Sequence, residues 1–447
     1  MLFACENAGI YLAIRPFLCT FVASKEPHPN KVTMVKSYLN NKWMRAAIPA
    51  LLIHACIGSV YCWSLLKGDI ATEVGCSVKE IEFAFSLAIF FLGMSAAFGG
   101  RFVEKNVTAA SVVSCLCFST GLLLTVLSIY SKSVLGIMLS YGCLMGIGLG
   151  IGYLSPVKTL MLWFKEHKGL ATGIAISGFG LSKVIFSPYI EWCTAKYDIS
   201  TTLVSMSVIS IFSMLTAAWL IKKPADWKEP VVKWKLKDYF QVLKNGTFLK
   251  IWFVFYINIT CGLALIAFEK NIALTVGIIA VGLLSSLTAF FNTAGRFGYS
   301  TVSDYTENKQ TIYKILLLSS VLVMLLGVAL GSSIAIVILM LCIINAGYGG
   351  GFSTLPTLLQ SKFGMEKIST IHGLALSAWA WAGLSGNQLS NLIINQWQKP
   401  YEYLYVVLAG LYLIALILTF AIPKNKEAID YEEEQQSFSK IDTSFIE

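Results

Sequence analysis

Apolar runs of 20 or more residues recur from one end of this 447-residue chain to the other, and no other feature narrows its possible folds as far. A helix rises about 1.5 Å per residue, so each run is long enough to cross the roughly 30 Å of hydrocarbon in a bilayer. An amphipathic helix packed on a soluble core carries a polar face at a period of about 3.6 residues. Stretches such as 315–330 carry none. Only 13% of the residues are charged, about half the share in an average soluble domain, which leaves too little polar surface for the chain to be water-soluble at this length.

The runs resolve into twelve expected spans. Six lie near 43–66, 80–99, 107–130, 134–157, 169–190 and 200–221, and six near 248–268, 277–302, 311–330, 333–359, 369–394 and 402–422. The longest polar interruption, 222–250, carries eight lysines against Asp226, Glu229 and Asp238, and it divides the chain into two halves of six spans. The expected organisation is an extension over 1–42, a first bundle over 43–222, a linker over 223–247, a second bundle over 248–422 and a tail over 423–447. Residues 1–33 hold Arg15 and a short apolar stretch, and read either as an extension or as sequence upstream of a start at Met34. The tail, with Glu432, Glu433 and Glu434, reads as a polar, disordered segment.

The net charge of +9 does not point to nucleic acid. The basic residues Arg101, Lys105, Lys165, Lys168, Lys309, Lys314, Lys424 and Lys426 fall, with the central loop, on alternate connections, as the positive-inside rule requires of cytoplasmic loops. That predicts an integral protein of the plasma (inner) membrane with both termini cytoplasmic. The bilayer is its expected partner, and one chain supplies both halves, so a monomer suffices. The eleven cysteines form no CxxC pair and mostly lie in apolar runs, where cysteine packs as a small hydrophobe. No metal or cofactor site, nucleotide-binding motif or catalytic constellation is evident, which argues against an enzyme.

Glycines 146, 148, 150 and 152 resemble a phosphate loop only superficially. Such a loop needs a preceding strand and an exposed helix start, whereas small residues at this spacing inside an apolar span let helices approach closely. Intramembrane charge is more telling, since each charged group there costs a few kcal/mol or more, and about 2.5–3.5 by insertion scales. Arg296 lies in span eight, one of four arginines in the chain, and Lys183 lies near the middle of span five. Neither has an acid within a turn or two, and an unpaired buried cation invites a bound anion, with arginine offering a carboxylate two parallel donors. The alternatives are pairing of Arg296 with Asp304, and a cross-helix contact for Lys183. Lys158, one turn from Trp163, reads as snorkelling to the interface. His54 and His372 are candidates for a proton relay or for plain structural histidines. Tyr61, Trp63, Tyr153 and Tyr348 are candidates for cavity walls.

Several stretches resemble the oxalate/formate antiporter family of the major facilitator superfamily. They are Gly58-Ser59-Val60-Tyr61-Cys62-Trp63-Ser64, Phe98-Gly99-Gly100-Arg101-Phe102-Val103-Glu104, residues 146–153 with Ser155-Pro156-Val157, Lys168-Gly169-Leu170-Ala171-Thr172-Gly173, Gly178-Phe179-Gly180-Leu181, Asn292-Thr293-Ala294-Gly295-Arg296 with Ser303-Asp304, and Tyr348-Gly349-Gly350-Gly351-Phe352. The resemblance implies an all-α membrane protein of twelve transmembrane helices in two six-helix bundles, rocking about a central site. It also implies a secondary transporter of a small organic anion, a mono- or dicarboxylate, by antiport or proton symport. Arg296 matches the family's substrate-clasping arginine, and Tyr61 and Tyr348 match its cavity aromatics. Arg101, Glu104, Ser303 and Asp304 match its gating motifs. The family's second clasping cation, a lysine in span eleven, is replaced here by Trp379. Lys183 is an addition, so the expected substrate-binding set is Arg296, Lys183, Tyr61, Tyr348 and Trp379. Two alternatives to the anion remain: a neutral or cationic solute, with the cations paired to protein acids such as Glu269, and a transporter-fold sensor.

Overall fold

The computed structural model describes residues 41–227 and 236–424, and no strand occurs among them. Arg15, Met34, Lys426, Glu432, Glu433 and Glu434, and with them most of the expected extension and tail, lie outside the described residues. The first half holds α1 (Trp43–Val74), α2 (Val78–Lys105), α3 (Val107–Tyr130), α4 (Val134–Trp163), α5 (Lys168–Lys196) and α6 (Ile199–Leu220). The second holds α7 (Gly246–Ala267), α8 (Val281–Asp304), α9 (Gln310–Leu330), α10 (Ile334–Phe363), α11 (Ile368–Asn391) and α12 (Tyr401–Phe420). A short amphipathic helix, Leu236–Lys244, leads into α7, and another, Glu269–Thr275, follows it after a break at Phe268.

Ten of the twelve long helices are apolar enough to cross a membrane by composition. The two that are not, α8 and α11, carry Asn292 and Arg296, and His372, Asn387 and Gln388. Their polarity follows from their place. Within each half α3 packs on α6, α1 on α5, α7 on α11 and α9 on α12, whereas across the halves α2 packs on α11 and α5 on α8. Polar side chains on α8 and α11 can therefore face the seam rather than lipid.

Local chemistry sets the helix ends. Ser77 and Glu80 form a capping box at α2, with Ser77 N donating to Glu80 Oε2 at 2.9 Å and Glu80 N to Ser77 Oγ at 3.3 Å. Asn106, Asp198 and Asn245 accept from backbone N–H groups at the starts of α3, α6 and α7. Gly75 ends α1 with φ of 79°, a conformation strained for residues with a Cβ. α1 extends well past the expected end near 66, through a tight 3₁₀ stretch at Gly58–Cys62.

One end of the molecule gathers the basic residues: Lys105 at the end of α2, Lys165 before α5 and Lys168 at its start, Lys309 before α9, Lys362 at the end of α10 and Lys367 just before α11. At this basic end the halves are tied by two matching contacts. Glu104, at the end of α2, accepts from the N–H groups of Ser369 (2.8 Å) and Thr370 (3.2 Å) at the start of α11. Asp304, at the end of α8, accepts from Gly169 (2.6 Å) and Leu170 (2.8 Å) at the start of α5. A carboxylate on the open N–H groups of a helix start gains both hydrogen bonds and the favourable end of the helix dipole. Each residue of one latch stands 200 positions from its counterpart in the other, so the two halves close on each other with pseudo-twofold symmetry.

Small residues allow this approach. A Cβ on Gly100 would lie 2.5 Å from Thr370 Cα, and one on Gly169 would collide with the Ser300 carbonyl. Towards the opposite, far end the seam loosens. Along the α5 face turned to α8, Gly169, Gly173 and Ser177 are buried, Gly180, Lys183 and Ser187 are half-buried, and Glu191 is exposed. On α11 the same trend runs from buried Gly373 and Ala380 through half-buried Gly383 to exposed Asn387.

Candidate solute-binding site

Midway along the seam, α1, α4, α5, α8, α10 and α11 converge on one aromatic cluster. Trp379 of α11 is 1% exposed and lies edge-on to Phe352 of α10, with ring centroids 4.5 Å apart. Phe179 of α5 and Tyr153 of α4 pack on the same indole at 6.0 and 5.9 Å. Tyr61 of α1 meets Phe179 at 5.2 Å, and Tyr348 meets Phe352 at 5.2 Å. Four of the five residues expected to bind solute, Arg296, Tyr61, Tyr348 and Trp379, thus fall on or beside one cluster. Phe179 and Phe352 complete it; they lie inside the family-like stretches, but an apolar ring in an apolar span gives no further signal.

Arg296 is the charged member, at 2% exposure. Its Nε donates to Asn292 Oδ1 at 2.9 Å, one helical turn back, and its Nη1 donates to the Ile176 carbonyl of α5 at 3.3 Å. The guanidinium carbon lies 5.4 Å from the Phe352 ring centroid and 5.9 Å from that of Phe179, a cation–π arrangement. Asn292 holds the side chain in place, and Gly349 makes room for it, since a Cβ there would come within 3.0 Å of Arg296 Cγ. Two of the five guanidinium N–H donors are used by these bonds, and Nη2 makes no hydrogen bond among the described residues. No ion pair to Arg296 is present among them either. The sequence alternative of an Arg296–Asp304 pair does not form, because Asp304 caps α5 instead.

The cluster is also rich in buried polar atoms that make no hydrogen bond among the described residues. They include both ring nitrogens of His54, Nε2 of His372, and the hydroxyls of Tyr61, Tyr153 and Tyr348. Leaving a buried donor or acceptor unsatisfied costs about 1–3 kcal/mol each, which makes the cluster the candidate place for a polar guest. His54 and Tyr153 lie 5.3 Å apart ring to ring, and His372 lies 6.0 Å from Tyr153. Arg296 is within electrostatic reach of His54, Tyr153 and Tyr348.

Lys183 does not join Arg296. It is half-buried on the far side of the cluster, beside Cys62 of α1, whose Sγ lies 3.6 Å from Ser187 Oγ. Lys158 also departs from expectation. It does not snorkel but is 1% exposed and forms a buried ion pair with Glu104 at 3.4 Å. The reason is that α2 delivers Glu104 to it from 54 residues away, beyond the reach of any local pattern. Of the four residues expected to gate, Glu104 and Asp304 form the two helix-start contacts across the seam. Ser303 is buried, its Oγ donating to the Ser300 carbonyl at 2.6 Å. Arg101 is half-buried near Tyr239.

Two bundles of six helices, a polar aromatic site on the seam and capped helix starts across it describe a membrane transporter. The Major Facilitator Superfamily profile matches residues 50–387. The chain belongs to this superfamily. Among curated relatives it is similar to the oxalate:formate antiporter of Oxalobacter formigenes, 24% identical over 400 residues, 86% of this chain and 93% of that one. Monocarboxylate transporter 13 of Bos taurus is 29% identical over 136 residues, 29% of this chain and 32% of that one. Among solved structures, a bacterial homologue of the iron transporter ferroportin in an outward-facing state superposes with a TM-score of 0.67 at 12% identity, covering 84% of this chain and 98% of that one.

Proposed function

We propose that this protein is a secondary carrier of a small organic monoanion, a short monocarboxylate, which binds on the free edge of Arg296. The observation that carries the reading is a buried guanidinium with no counter-ion, held open by Asn292 and walled by Phe179, Phe352, Tyr348 and Trp379. A buried charge lacking its partner is strongly destabilising, by about 3–5 kcal/mol, and a bound carboxylate removes that cost while taking two parallel N–H bonds. The surrounding rings accept a short apolar tail. One central cation neutralises one negative charge. A second carboxylate would meet the Trp379 indole where a cation would have to stand, which argues for monoanions over oxalate-like dianions. The similarity to an oxalate:formate antiporter and to a monocarboxylate transporter agrees with the chemical class.

The mechanism follows from the seam. The latched basic end and the looser far end are one of two arrangements, and rocking the halves about the cluster exchanges them, so the solute meets one side at a time. The lysine and arginine turns orient the basic end to the cytoplasm of the plasma membrane, with both termini on that side. The protein works as a monomer and takes no nucleic-acid partner. In symport the ring nitrogens of His54 and Nε2 of His372, which make no hydrogen bond among the described residues and whose rings both lie near Tyr153, supply the proton stations; in exchange they only satisfy the guest.

Reconstitution into proteoliposomes and counterflow of labelled formate, acetate, lactate, pyruvate, oxalate and succinate, with and without a pH gradient, tests the reading. Exchange of monocarboxylates with oxalate and succinate at least 10-fold slower supports it. Equal or faster exchange of the dicarboxylates, or exchange of none of the six, overturns it.

A further inference from the structure

The seam has a third acid facing a helix of the opposite half, and it has no role in the site described above. Glu269, at the start of the short helix after α7, is 7% exposed. Thr288 Oγ1 (2.9 Å) and Ser285 Oγ (3.3 Å) of α8 both donate to its Oε1. Its Oε2 accepts nothing among the described residues. The adjacent Lys270 is exposed and makes no ion pair with it.

Across the seam from this carboxylate stands Lys183 of α5: α5 and α8 pack antiparallel from Gly169 against Ser300 to Gly180, where a Cβ would lie 2.8 Å from Thr293 Oγ1, so Lys183, one turn further on, comes level with the Thr288 that holds Glu269, and no ion pair joins the two charges among the described residues. On the Lys183 side the neighbouring thiol is Cys62 of α1, whose Sγ lies 3.6 Å from Ser187 Oγ of α5. Lys183 lies where burial of the α5 face is falling away, beyond half-buried Gly180 and short of exposed Glu191.

The geometry points to Lys183 and Glu269 as the two halves of a far-end latch, open in this arrangement and closed as an ion pair over the loaded site when the basic end parts. Two hydroxyls fix one carboxylate oxygen and leave the other free, so the acid is oriented before its partner arrives. A lysine is suited to the other side, because its ammonium on a flexible stem can form and break a point contact in each cycle. The two basic-end carboxylates each bind a helix start; the far-end carboxylate meets a side-chain cation instead. Lys183 then completes the gate and is not a ligand of the solute. The inference rests on the carrier reading, and one arm of its test is independent of that reading.

The test uses the full chain in proteoliposomes with Lys183→Gln, Glu269→Gln and the exchanged pair Lys183→Glu with Glu269→Lys. Lactate counterflow gives turnover and half-saturation. Labelling of Asn387→Cys, in a Cys76→Ser background, by a membrane-impermeant maleimide resolved by peptide mass spectrometry reports far-end opening without any solute. Each single neutralisation is expected to lower turnover about 10-fold with half-saturation changed less than 2-fold, and to raise Asn387→Cys labelling; the exchanged pair is expected to recover at least half of both. A 10-fold rise in half-saturation for Lys183→Gln with turnover retained and no recovery in the exchanged pair overturns the inference, since Lys183 would then bind the solute. Unchanged labelling in all variants overturns it too. If the parent protein moves no lactate but the labelling responds and recovers, the carrier reading fails and the latch stands.

Discussion

The two ends of the inter-half seam are built from the same helices and behave differently. At the basic end two carboxylates, Glu104 and Asp304, sit on backbone N–H groups that are always present and rigidly placed. Glycine is the close-packed neighbour there, at Gly100 and Gly169. At the far end the corresponding stretch carries a long side chain, Lys183, and an acid held by hydroxyls, with no contact between them. A charged hydrogen bond to a buried backbone is worth about 1.5–3 kcal/mol, whereas a lysine–carboxylate pair near a surface returns about 0–1 kcal/mol. The difference gives the carrier a preferred resting arrangement, closed at the basic end, and leaves the far end easy to open and close.

The largest effect expected on this contrast comes from removing both strong latches. Glu104→Gln with Asp304→Asn weakens four charged hydrogen bonds, and at about 1.5–3 kcal/mol for each latch the population should move by on the order of 100-fold or more towards opening at the basic end. Labelling of an engineered cysteine at Asn387 should fall accordingly; unchanged labelling would mean that the latches do not set the resting state.

A smaller shift is expected from Gly169→Val, whose side chain collides with the Ser300 carbonyl. Overpacking costs about 1–3 kcal/mol, so the same labelling assay should report roughly a 10-fold change in the same direction. Retained labelling and retained thermal stability would show that the helices are not in close contact at this point.

The smallest effect is a pH dependence at the basic end. Burial lowers the Lys367 ammonium to about 8, with Asp238, Glu366 and Glu104 opposing the shift. A lysine depressed by burial favours the open, solvated arrangement while it is charged. Raising the pH from 7 to 9 discharges it in the closed arrangement first, and so should strengthen closure through that window. The accompanying rise in Asn387→Cys labelling should disappear in Lys367→Met, measured with a labelling reagent whose own rate is corrected for pH.

Much of the fold could be read from the chain because membrane crossing is a property of local composition. Helix count, the division in two and the central Arg296 all follow from where polar residues interrupt apolar runs. Even α8 and α11, whose composition falls short of an ordinary span, were legible because apolar neighbours bracket their polar positions. Partnerships were not legible, for a physical reason. Lys158, read as snorkelling, instead meets an acid on α2 54 residues away, because the sequence of one helix does not show which partner packs against it across the bundle. Trp379 was legible as a missing lysine, but its place as the indole on which Phe352, Phe179 and Tyr153 converge depends on three other helices.

The central claim is that an organic monoanion binds on Arg296, and the most direct measurement is calorimetric titration of lactate, with neutral lactamide as control, into the purified protein and its Arg296→Gln and Arg296→Lys variants. The account predicts saturable lactate binding to the parent, at least 100-fold weaker binding to Arg296→Gln, only partial recovery in Arg296→Lys because a point charge cannot form the two parallel bonds, and no lactamide binding throughout. Lactate affinity undiminished in Arg296→Gln, or lactamide binding equal to that of lactate, would contradict it.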